Sequence, residues 1–60
     1  MSKPAVGDPV LVRDGGYEGD PWSRATVTDL LSSQFMAETD SGRVVFGVYT
    51  FERTAWKHIL

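Results

Sequence analysis

One imidazole, three carboxylates within residues 14–20 and seven aromatic rings are the groups in this chain whose types and spacing could do chemistry. Nucleophilic catalysis needs a thiol or hydroxyl beside a base, and general acid–base work needs poised carboxylates or an imidazole. The chain has no cysteine, and none of its serines stands at a spacing that would pair it with His58, the single histidine. His58 shares a strand face with Trp56 and reads as a surface or rim residue. Asp14, Glu18 and Asp20 carry oxygen ligands suited to a hard cation such as calcium. Their spacing lacks both the alternating ligand order and the distal glutamate of a calcium loop, so a solvated acidic loop is expected. The sequence therefore reads as that of a protein that is not an enzyme, with no metal and no cofactor.

The aromatic residues carry more information. Phe35 and Phe46 lie inside alternating segments and are expected in the core, where truncation to alanine costs about 3–5 kcal/mol. Tyr17 stands in a glycine-rich loop and Trp22 follows a proline at a strand entrance, among residues that make poor core neighbours. Tyr49, Phe51 and Trp56 fall in or beside an irregular stretch before the chain closes. Aromatic anchors with a charged fringe suit protein binding, and Glu18 and Asp20 supply an acidic fringe that favours a basic partner. The candidate partner-binding set is Tyr17, Glu18, Asp20, Trp22, Tyr49, Phe51 and Trp56. The competing structural reading is that Trp22 and Trp56 cap the two open ends of a small core.

The elements that must position these groups are short strands. Residues 1–6 form a loose arm, and Gly7-Asp8-Pro9 is a turn cluster. Val10-Leu11-Val12-Arg13 alternates, with Val10 and Val12 on one face. Residues 14–21 form a long loop rich in glycine and aspartate. Residues 22–31 read as a second strand with Ala25 and Val27 inward, and residues 34–39 as a third with Phe35 and Ala37 inward. Asp40-Ser41-Gly42 turns the chain into a fourth strand over 43–48, the best hairpin in the sequence. A one-turn 3₁₀ segment around 52–54 precedes a closing strand within 55–60. No amphipathic helix, internal repeat or linker interrupts this pattern, so residues 1–60 read as one domain.

These features predict an all-β fold, a five-stranded, partly open barrel. The opening Val6-Gly7-Asp8-Pro9-Val10-Leu11-Val12-Arg13 resembles the start of Src-homology-3-like barrels of the Tudor and KOW kind, and Asp40-Ser41-Gly42 resembles the hairpin joining their third and fourth strands. The resemblance covers most of the chain with generic motifs, and it implies a fold more than a function. It also implies that the long first loop lies near the loop before the last strand, so that Tyr17, Trp22, Tyr49, Phe51 and Trp56 could meet on one side. A second resemblance, to short accessory proteins of tailed bacteriophages, rests on Val10 to Asp14, on Trp22 with Arg24, and on Thr54-Ala55-Trp56-Lys57-His58-Ile59.

Composition bounds the rest. With 60 residues and no cysteine, the chain has neither the length for a large core nor disulfides to compensate, which gives weight to homo-oligomerisation. Six basic against eight acidic side chains, net charge −2, disfavour binding that depends on many phosphate contacts. Arg13, Arg24, Arg43 and Arg53 are scattered, and surface ion pairs with Asp14 or Glu38, worth about 0–1 kcal/mol each, would account for them. No apolar run suits a membrane span or a signal peptide, so a cytoplasmic protein is expected, in the host cytoplasm if phage-encoded. The favoured functional expectation is a non-catalytic protein-interaction module, phage-encoded or prophage-encoded, that modulates or inhibits a bacterial host protein. One alternative is a nucleic-acid-binding Tudor- or KOW-like barrel. The other is a small-barrel oligomeric enzyme similar to the plasmid-type dihydrofolate reductases, whose Val-Gln-Ile-Tyr strand segment is replaced here by Val44-Val45-Phe46-Gly47.

Overall fold

The computed structural model describes residues 3–13, 15, 17 and 19–59. Five strands follow one another: β1 (Pro9–Arg13), β2 (Trp22–Leu30), β3 (Gln34–Thr39), β4 (Val44–Val48) and β5 (Trp56–His58), with a 3₁₀ turn over Tyr49–Phe51 between the last two. All strand pairs are antiparallel and lie in one sheet of order β4-β3-β2-β1-β5, curled into a half-barrel. This order, with a 3₁₀ turn before the last strand, is compatible with a Src-homology-3-like small barrel.

The inward faces follow from strand alternation, since successive side chains point to opposite sides of a sheet. Val10 and Val12 of β1, Ala25 and Val27 of β2, Phe35 and Ala37 of β3, and Trp56 of β5 are all buried, joined by Tyr49 of the 3₁₀ turn. Phe35 is the centre: its ring meets Trp56 edge-on at 4.9 Å and Tyr49 at 6.2 Å. The two polar aromatics satisfy their donors on backbone carbonyls, Tyr49 Oη donating to Leu31 O at 2.8 Å and Trp56 Nε1 to Val48 O at 2.7 Å. Buried aromatic N–H and O–H groups need such partners.

Two local features bend the sheet. The register between β2 and β3 shifts after Val27, so that Val27 faces Ala37 while Asp29 faces Met36, leaving Thr28 as the extra residue of a bulge. Opposite Phe35 stands Gly47 of β4, where a Cβ would come within 2.2 Å of Phe35 Cζ. Only glycine lets the phenyl ring lie against the β4 backbone.

Some expectations are corrected. Phe46 is 53% exposed and not in the core: β4 turns Val45 and Gly47 inward. The 3₁₀ turn sits over Tyr49–Phe51 instead of 52–54, and the stretch after it is held by Arg53 at φ 76°, a left-handed residue, with Ala55 N bonded to Phe51 O at 2.9 Å. The N-terminal arm is anchored from Pro4 onward. Pro4 is fully buried, Ala5 N donates to Asp8 Oδ2 at 2.9 Å, and Gly7 N donates to Val27 O at 2.8 Å.

Candidate docking groove

The half-barrel leaves a seam between β4 and the end of β1, and the seam holds a cavity of about 400 Å³. One wall is β4, Arg43 just before it and the 3₁₀ turn after it, contributing Val45, Phe46, Val48 and Phe51; the other is the end of β1 with Gly15 and Ala55. Val12, Val45, Val48 and Ala55 are buried or half-buried and form the apolar floor. Phe46 and Phe51, 53% and 54% exposed, stand at the lips. Single exposed apolar residues are ordinary on a protein surface, but two phenyl rings over a continuous apolar floor are the composition of a recognition site.

Arg13 borders the groove at the end of β1, and its guanidinium lies with Trp22 on the outer face of the sheet. Its side chain is fixed by three contacts: Nε donates to Thr54 O at 3.0 Å, Nη1 donates to Asp20 O at 2.9 Å, and the guanidinium lies 3.9 Å from the centroid of the Trp22 ring. Both hydrogen-bond acceptors are neutral carbonyls, so none of these contacts cancels the charge. Arg43 also lines the groove and is itself engaged in an interaction. Asp20 is half-buried, and its Oδ2 accepts a hydrogen bond from Tyr17 N at 3.2 Å, so its carboxylate is used within the loop.

The aromatic candidates do not converge. Trp56 and Tyr49 are core residues, 1% and 7% exposed, which corrects their assignment to a contact surface and matches the capping alternative for Trp56. Trp22 is half-buried on the opposite face of the sheet, paired across β1 with Arg13 and covered by Arg13 and by Lys57, whose Nζ lies 4.5 Å from the ring centroid. Tyr17 is 76% exposed in the first loop. Among the described residues of the candidate set, Phe51 alone lines the groove. Glu18, like Asp14 of the acidic cluster, lies outside the described residues. The residues missed from the sequence are Phe46, Val45, Val48 and Arg13, and the available signal was Gly47: a glycine between apolar neighbours in a strand marks a close approach by another group.

His58 is not isolated at the barrel end. Its ring meets Trp56 at 5.0 Å, and its Nε2 lies 3.7 Å from Glu52 Oε2, a contact outside the groove. Among the described residues, no three potential metal-ligating groups cluster, and no helix is long and apolar enough to cross a membrane. Compared with known protein families, characterised proteins and solved structures, the chain matches none of them. The class is therefore set by the fold and its groove: an all-β half-barrel with an apolar, arginine-flanked seam.

Proposed function

We propose that this chain is a non-catalytic protein-interaction module that docks its partner in the seam groove. The observation that carries the reading is the pair of half-exposed phenyl rings, Phe46 and Phe51, over the apolar floor of Val12, Val45, Val48 and Ala55. Aromatic anchors in a desolvated pocket dominate the energetics of most protein interfaces. What the groove offers is apolar recognition surface.

The test is affinity capture from a bacterial lysate, with and without nuclease, using wild-type protein, a Phe46→Ser plus Phe51→Ser variant and a Tyr17→Ala variant. Support requires a stoichiometric, nuclease-resistant protein that is retained by wild type and Tyr17→Ala and lost by the double variant. Retention by the double variant moves the interface elsewhere. Recovery that vanishes with nuclease replaces the reading with nucleic-acid binding.

A further inference from the structure

The wall of the groove is a sheet edge, and its hydrogen-bonding groups can be assigned from the register. In an antiparallel pair, opposed residues alternate between exchanging backbone hydrogen bonds and turning those groups away. At one end of the β3–β4 hairpin Thr39 N donates to Arg43 O at 2.7 Å, and beyond the other end Tyr49 N donates to Ser33 O at 3.2 Å. The pairs Ala37↔Val45 and Phe35↔Gly47 fall in the same phase, so Val45 and Gly47 bond to β3. Val44, Phe46 and Val48 turn their N–H and C=O groups toward the free edge. The Val48 carbonyl is taken by Trp56 Nε1 at 2.7 Å. Val44 and Phe46 remain, each presenting a donor and an acceptor along the groove.

Natural edge strands carry charges, prolines or bulges that prevent pairing with other chains. The other edge, β5, carries Lys57 and His58. β4 is Val-Val-Phe-Gly-Val from end to end, with Val44 and Phe46 59% and 53% exposed. An unguarded apolar edge beside an apolar groove is the arrangement used for strand addition, in which main-chain hydrogen bonds give affinity and alternate side-chain pockets give specificity.

We propose that the seam accepts an extended, apolar segment of a partner protein as a sixth strand hydrogen-bonded to Val44 and Phe46. This rests on the docking reading above and specifies its occupant. A lone strand suits a groove walled on both sides. In a second copy of this chain, β4 carries β3 along its other edge, and that strand would compete for the space held by Arg13, Gly15 and Ala55.

The test uses a displayed library of random ten-residue linear peptides selected on the folded protein. Enriched peptides are then synthesised with a single N-methyl group moved one residue at a time. Strand addition loses one hydrogen bond at each of the two peptide N–H groups that donate to the Val44 and Phe46 carbonyls, so affinity falls by up to about tenfold at two positions separated by one residue and little elsewhere. The enriched pool is expected to hold alternating apolar residues. The N-methyl series alters only the ligand and leaves the folding of the protein untouched. Binding with a flat N-methyl profile overturns strand addition and leaves the docking groove standing. Failure to enrich any peptide overturns the linear-segment occupant, as does concentration-dependent protection of the Val44 and Phe46 amides from hydrogen exchange in the protein alone, which would assign the edge to a second copy.

Discussion

Replacing Gly47 with alanine tests how the core is built around β4. An ideal Cβ at this position lies 2.2 Å from Phe35 Cζ, 2.4 Å from Cε2 and 3.0 Å from Cε1, all far inside contact distance. The ring cannot swing away freely, because it is fully buried and meets Trp56 edge-on at 4.9 Å. Overpacking costs about 1–3 kcal/mol, and contacts this close put it in the upper part of that range, about 2–3 kcal/mol; the reduced freedom of the unfolded chain returns up to about 1 kcal/mol, for a net loss of at least about 1–2 kcal/mol. A chain of 60 residues at about 0.05–0.15 kcal/mol per residue has roughly 3–9 kcal/mol in total, so the substitution removes a sizeable share. The expected fall in Tm is about 4–16 °C, measured by circular dichroism, with urea denaturation giving the free energy. Phe35→Leu removes the outer ring atoms, so in the double variant Phe35→Leu plus Gly47→Ala the two costs should be less than additive by at least about 0.5 kcal/mol. A neutral or stabilising Gly47→Ala, or strictly additive costs, would refute the placement of Phe35 against Gly47.

Other substitutions probe the remaining assignments. Phe46→Ala, at a residue 53% exposed, is expected to cost less than about 1 kcal/mol in urea denaturation, whereas Phe35→Ala should cost at least about 3 kcal/mol; similar large costs would return Phe46 to the core. Trp56→Phe removes the donor to Val48 O and leaves a smaller ring in the core, an expected loss of about 2–4 kcal/mol by the same assay with Trp22 fluorescence as the probe; a neutral result would contradict the buried, bonded indole.

How far the sequence reaches is clearest in the strands. Alternation placed the faces of β1, β2 and β3 because each carries apolar residues on one parity only, as in Val10, Val12, Ala25, Val27, Phe35 and Ala37, all of them buried. β4 defeats the same rule, since Val44, Val45, Phe46 and Val48 put apolar groups on both parities, and bulk alone favours Phe46 as the core residue. Its true phase depends on Phe35, which is distant in sequence and needs a glycine opposite it. The 3₁₀ turn has no side-chain cap to announce it, so its position three residues early was not readable. Among the described residues, the candidate site was legible at Phe51 alone. Whether aromatic groups meet depends on strand parity and sheet curl, and here these send Trp56 and Tyr49 inward and Trp22 to the outer face, with Tyr17 exposed in the first loop. Arg13 looked like an ordinary surface arginine until the carbonyls of Thr54 and Asp20 were brought to it by the fold.

The most direct test of the docking groove is nuclear magnetic resonance mapping of the isotopically labelled chain titrated with the protein it captures. The groove account expects the largest amide and methyl shifts at Val45, Phe46, Val48, Phe51 and Ala55, with the core register unchanged. Shifts concentrated instead on the opposite sheet face, at Leu11, Trp22, Arg24 and Lys57, would contradict it and place recognition on the cation-covered tryptophan.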